Sequence, residues 1–108
     1  MEKNAKHDEI AKTVAENPIV LFVKGSPEMP QCGFSKAVMD IFDRLGADYK
    51  TVDVLADSAI RDGVKEFTNW PTIPQVFIKG EFVGGCDIVR DLYSKGQLEA
   101  LVKGAAQK

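Results

Sequence analysis

Ile19-Val20-Leu21-Phe22-Val23 is a run of five apolar residues, three of them β-branched, with no polar residue at alternate positions. A strand with one wet face alternates, and this one does not, so it reads as a strand buried on both faces. Upstream, Glu2 to Glu16 carries Ile10, Ala11, Val14 and Ala15 at helical spacing, and Asn17-Pro18 ends the pattern. Downstream, Lys24 stands where the strand should end. A loop with two prolines, Gly25-Ser26-Pro27-Glu28-Met29-Pro30-Gln31, then leads to Cys32. Lys36 through Leu45 reads as a helix with Val38, Ile41, Phe42 and Leu45 on one face, stopped by Gly46.

Further on, Tyr49 to Val54 alternates and reads as a second strand. Asp57-Ser58 offers a cap for a helix whose inner face is Ile60, Val64 and Phe67. Asn69-Trp70-Pro71-Thr72-Ile73-Pro74 breaks that helix. Gln75 to Ile78 and Glu81 to Gly84 flank Lys79-Gly80, a hairpin with an imperfect turn dipeptide. From Cys86-Asp87 onward, Ile88, Val89, Leu92 and Tyr93 predict a fourth helix. Gly96 interrupts it before a short fifth, Gln97 to Lys103, and residues 104–108 are expected to fray. The order is α-βαβ-α-ββ-α(α), with a parallel first unit and an antiparallel hairpin.

The chain has 108 residues, 14 basic and 16 acidic, and a net charge of −2. That size suits one domain, expected over 1–108 with a core of about 8–102. Charges of both signs are interspersed, which disfavours nucleic acid as a partner, and no apolar run approaches the length of a membrane span. The acid-containing N-terminus resembles neither a signal peptide nor a transit peptide, so a reducing cytoplasm is the expected location. There the two cysteines, Cys32 and Cys86, are expected as free thiols, metal ligands or redox groups rather than a structural disulfide.

Cys32 begins a helix, so free backbone N–H groups and the helix dipole favour its thiolate. Such a sulfur can attack a disulfide or bind a soft metal. Ser35, three residues on, faces the same way and cannot close an internal disulfide; it is a helix-start hydroxyl or takes a direct role. Gly33 permits close approach to whatever binds the sulfur. Phe34 is a core anchor or a lid, with packing favoured. Lys24 is a surface lysine, or else stabilises the thiolate or holds a carboxylate, and Arg61 is open in the same way. Pro74 can simply set a strand start. Gly84-Gly85 exposes N–H groups suited to a carboxylate, and Asp87 can be no more than a helix-start acid. Cys86 is a packed small residue, a resolving thiol or neither. Trp70 packs or shapes the Pro74 loop, and the single histidine, His7, is not expected to ligate metal.

Taken together, Cys32-Gly33-Phe34-Ser35, Trp70-Pro71-Thr72-Ile73-Pro74 and Gly84-Gly85-Cys86-Asp87 stand in one order and spacing. In these motifs the chain resembles the monothiol glutaredoxins of the Cys-Gly-Phe-Ser class, over roughly Asp8 to Val102. The resemblance implies an α/β thioredoxin fold: a four-stranded mixed sheet flanked by helices, here with an extra N-terminal helix. It also implies a glutathione site. Lys24 and Arg61 would take the glycine carboxylate, and Ile73, before a cis Pro74, would pair with the ligand backbone. Gly85, Cys86 and Asp87 would receive the γ-glutamyl end.

Further implied are a 2Fe–2S cluster bridging a homodimer, ligated by Cys32 and one glutathione from each subunit, and a role in cluster assembly or transfer and iron homeostasis. BolA-like proteins and apo iron–sulfur proteins are the implied partners. The alternative is a glutathione-dependent thiol–disulfide oxidoreductase that removes glutathione from proteins through Cys32. Against it stands the loop from Ser26 to Gln31, longer than in dithiol glutaredoxins, which marks a class of weak reductases.

Overall fold

The structure, a computed structural model, describes residues 6–106. Five helices and four strands follow the expected order: α1 His7–Glu16, β1 Ile19–Val23, α2 Gly33–Arg44, β2 Lys50–Asp53, α3 Ser58–Thr68, β3 Gln75–Ile78, β4 Glu81–Gly84, α4 Cys86–Ser94 and α5 Gln97–Ala106. The strands form one mixed sheet in the order β2-β1-β3-β4. β1 runs parallel to β2, with Phe22 opposite Val52, and antiparallel to β3, with Leu21 opposite Val76.

The unbroken apolar run at β1 now has its physical reason. Ile19, Leu21 and Val23 point into a layer shared with α2, α4 and α5, while Val20 and Phe22 point into one shared with α1 and α3. All five are buried. β3 divides in the same way, Val76 and Ile78 to the first layer and Phe77 to the second. Phe77 stacks edge-on against Phe22, with ring centroids 5.6 Å apart. Both hydrophobic layers thus end at the carboxyl edge of β1, where the chain turns into the loop before Cys32.

Several boundaries differ from the sequence reading. α2 starts at Gly33, three residues before the expected Lys36, because Cys32 occupies the N-cap and the helix winds directly from it. The cap expected from Asp57-Ser58 is present, and it is Asp57 that supplies it, its carboxylate accepting the N–H groups of Ala59 at 2.9 Å and Ile60 at 3.4 Å. Phe67, expected inside, is partly exposed at the layer's edge, where it meets His7 and Phe77. The Lys79-Gly80 turn is regular after all. Both residues take positive φ, 55° and 81°, as the primed hairpin turn requires, and lysine accepts the left-handed conformation. The expected fraying of the tail fails as far as Ala106, since α5 continues through it and Ala105 is buried in the core. Residues 1–5, part of the expected first helix, and the last two of the tail lie outside the described residues. Among the described residues, no helix is long and apolar enough to cross a membrane.

Candidate functional site

Cys32 is partly exposed at the N-cap of α2, with extended backbone at φ −150°. Its thiol is held below the ordinary cysteine value. The main-chain N–H of Ser35 is the largest cause; the N–H of Phe34, the Ser35 hydroxyl and the charge of Lys24 add to it, while partial burial opposes it. The helix-start argument from sequence therefore holds at the level of individual donors.

Three braces hold the segments around this sulfur. Ser35 is fully buried, and its hydroxyl oxygen accepts the main-chain N–H of Lys24 at 3.0 Å, joining the end of β1 to α2. One carboxylate oxygen of Asp53, at the end of β2, accepts two N–H groups: Gly25 at 3.0 Å and Leu55 at 2.9 Å. It ties the loop before Cys32 to the loop leading into α3. The third brace is Gln75, the first residue of β3. Its carboxamide nitrogen donates to the carbonyls of Trp70 at 3.0 Å and Thr72 at 3.1 Å, and its oxygen accepts the Thr68 hydroxyl at 2.9 Å.

The loop between Lys24 and Cys32 closes on itself. Gly25 and Pro30 form an isolated antiparallel bridge, Ser26 and Met29 exchange main-chain hydrogen bonds, and Gln31 N–H reaches Lys24 O at 2.9 Å. It is an ordered hairpin rather than slack chain. On the opposite wall the Ile73–Pro74 peptide bond is cis, as the resemblance implied. Ile73 is only 8% exposed, yet among the described residues no hydrogen bond uses its N–H or C=O. Buried main-chain groups are nearly always paired, so this pair of groups is available for something that lies against it.

A groove of about 730 Å³ runs past the thiol. Of the residues singled out from sequence, Lys24, Cys32, Phe34, Arg61, Ile73, Pro74, Gly85, Cys86 and Asp87 all line it. Gly33 is not brought to the wall. It opens α2, and a methyl group there would meet open space, so no steric need for glycine is seen at that position. Gly85 does show such a need: a Cβ would lie 3.3 Å from both the Pro74 carbonyl and the Trp70 indole nitrogen. Phe34, for which packing was favoured, is instead 60% exposed on the rim, because its position in the first turn of α2 faces away from the core. Cys86 is buried as the first residue of α4 and packs in the core layer beneath the groove. Trp70 both packs on Phe82, with centroids 5.7 Å apart, and lines the groove.

Sequence reading missed Leu55, Lys65, Thr72 and Ile88 on the walls. It also missed Asp53 and Gln75 behind them. A glutamine at the head of an apolar strand was the available signal for Gln75, since carboxamides are seldom fully buried. Among the described residues, no group of three or more His, Cys, Asp or Glu side chains is placed to hold a metal ion.

Fold and site together define a thioredoxin-fold thiol protein with a single cysteine at the head of its first post-strand helix. The family model described as Glutaredoxin matches residues 19–83. A Synechocystis protein called an uncharacterized monothiol glutaredoxin is 49% identical over 104 residues, covering 96% of this chain and 94% of its own length. The solution structure of a monomeric truncated mutant of Trypanosoma brucei 1-C-Grx1 superposes with a TM-score of 0.84 at 43% identity, covering 93% of this chain and 91% of that one. A crystal structure of a buckwheat glutaredoxin–glutathione complex gives 0.83 at 31% identity, covering 93% and 89%. The chain belongs to the glutaredoxin family, and its curated relatives place it with the monothiol glutaredoxins.

Proposed function

We propose that this chain binds glutathione in the groove beside Cys32 and carries a 2Fe–2S cluster shared between two subunits, for assembly or transfer to apo-proteins. The observation that carries the reading is the convergence on one groove of a thiolate-favouring Cys32, three cations (Lys24, Arg61 and Lys65), an unpaired main-chain edge at Ile73 and the N-terminus of α4. A tripeptide with one thiol, two carboxylates and an amine answers each of these. Its glycine carboxylate pairs with Lys24 and Arg61, and its cysteinyl main chain pairs with Ile73 as a short added strand. Its second carboxylate meets the N–H groups at Gly85 and Cys86, with the amine beside Asp87. The buckwheat glutaredoxin complex supports this choice of ligand.

Bound glutathione puts a second soft sulfur beside Cys32. Two subunits then supply the four thiolates that a 2Fe–2S cluster requires, and half of them are exchangeable, which suits a cargo that must be released. Ser35 is consistent with this role, because a hydroxyl at that position cannot draw Cys32 into an internal disulfide. A homodimer when loaded, exchange with a BolA-like partner, a cytoplasmic location and a part in iron homeostasis complete the reading.

The depressed Cys32 thiol favours a second reading. The thiolate attacks the glutathionyl sulfur of a protein mixed disulfide, and the protein thiolate leaves and takes up a proton. A second glutathione thiolate then displaces Cys32, giving glutathione disulfide. Anaerobic reconstitution with iron, sulfide and glutathione separates the two, read by visible absorption and by size. A coloured dimer that requires both Cys32 and glutathione supports the carrier. No cluster, with brisk turnover of a glutathione mixed disulfide, overturns it in favour of the oxidoreductase.

A further inference from the structure

We propose that Gln75 is a positioning residue for the ligand-facing main chain, its carboxamide holding the Trp70–Thr72 segment so that the unpaired N–H and C=O of Ile73 stay presented to the groove. The inference rests on the reading of that groove as a glutathione site.

Gln75 and Ser35 are the buried polar side chains of the described core, both with no exposed surface. Burying a carboxamide is costly unless its atoms are bonded, and here they are: both donors go to loop carbonyls and the acceptor to Thr68. Nothing in the sheet asks for these bonds. Gln75 pairs through its main chain opposite Phe22, and an apolar side chain of similar volume would fill the same space between α3 and the sheet. What does ask for them is the loop. Pro71 and Pro74 have no N–H, and among the described residues the segment's main-chain-to-main-chain bonding is limited to Trp70 N–H on Lys65 O at 3.1 Å. It cannot brace itself, so it is braced from outside, by Gln75 at the carbonyls of residues 70 and 72 and by the Thr68 hydroxyl at Trp70 N–H, 3.2 Å away. Thr72 O, held by Gln75, belongs to the same peptide unit as the Ile73 N–H. Fixing that carbonyl therefore fixes the plane in which the Ile73 N–H is offered. The side chain acts through this peptide and need not touch the ligand.

The test uses the full chain and glutathione itself as the probe. Affinity by calorimetry, melting temperature and backbone 15N order parameters at Thr72 and Ile73 are measured for wild type, Gln75→Met, Thr68→Val and Val14→Ala. Val14 is buried in the α1 layer away from the groove and serves as a purely destabilising control. Gln75→Met, which removes all three carboxamide bonds, is expected to fold, to lower the order parameters at Thr72 and Ile73 and to bind glutathione about tenfold more weakly. Thr68→Val, which leaves both donor bonds of Gln75 in place, is expected to show the same change in smaller measure and covers the case in which Gln75→Met fails to fold. Val14→Ala should lower the melting temperature without altering affinity. Wild-type affinity and order parameters in Gln75→Met, or equal losses of affinity in Val14→Ala, would overturn the proposal. If wild type itself does not bind glutathione, the ligand reading fails. The order parameters of the free protein then decide the brace: lower values in Gln75→Met support it, and unchanged values overturn it.

Discussion

The Ser35 hydroxyl oxygen accepts the main-chain N–H of Lys24 at 3.0 Å, so the residue standing where a second redox cysteine could be is a structural latch between β1 and α2. The same hydroxyl contributes to holding the Cys32 thiol low. One side chain thus couples the stability of the strand–helix junction to the reactivity of the sulfur.

Ser35→Ala separates these effects. It leaves the Lys24 N–H without its partner in a partly buried place, at a cost of about 1–3 kcal/mol in a denaturant titration. The Cys32 value should move toward that of an ordinary thiol, but incompletely, because the larger contribution from the Ser35 main-chain N–H remains. The pH profile of iodoacetamide alkylation reads that shift directly. An unshifted profile would mean that the hydroxyl serves only the latch.

Cys32 also makes stability depend on pH in a definite direction. Its folded value lies below its unfolded one, so the thiolate's stabilisation is fully present above the ordinary thiol value of 9.0 and is lost as pH falls through the lowered folded value. Stability of wild type relative to Cys32→Ser should therefore rise with pH across that window and level off above it. A difference that is flat with pH would show that the folded protein does not favour the thiolate.

Cys86 reaches the groove wall but is 7% exposed and packs in the core layer with α2 and α5. Cys86→Ser puts an unmatched hydroxyl there and should destabilise by about 1–3 kcal/mol, while the alkylation profile of Cys32 stays in place. A displaced profile would instead indicate that the two sulfurs communicate.

How much of this was legible in the sequence depends on what each residue's role rests on. β1 could be read because burial on both faces leaves an unbroken apolar run, and both layers do close on it. Cys32 could be read because a thiol after a proline loop, at a helix start, has little use as a core residue. Phe34 could not, since an aromatic in the first turn of a helix has the same spacing whether it turns inward or out. Asp53 and Gln75 stayed hidden for another reason. Their work is done on main-chain groups of distant loops, residues 25 and 55 for one and 70 and 72 for the other, and one-dimensional spacing carries no trace of such pairings. Gly33 and Gly85 look alike as letters, but only Gly85 has neighbours that a methyl group would meet.

Gly25 offers the sharpest test of whether the loop before Cys32 sets the site. Its φ is +93°, and a Cβ would lie 2.4 Å from Met29 O and 2.7 Å from Gln31 N. Both are main-chain atoms of the same small hairpin, so relief requires the hairpin to open. Opening would strain the Gln31 N–H bond to Lys24 O, one residue before the thiol, and the Gly25 N–H bond to Asp53. Gly25→Ala should therefore cost more than about 1 kcal/mol and also displace Cys32 from the donors that lower its value. Gly46→Ala is the matched control: φ is +66° but a Cβ there meets nothing within 4 Å, so it strains the backbone without touching the thiol loop. Both variants should unfold at lower denaturant, while only Gly25→Ala shifts the alkylation profile upward and weakens glutathione binding. Were the two variants to behave alike in all three measurements, the loop would be a passive insertion and the geometry at Cys32 would depend on α2 alone.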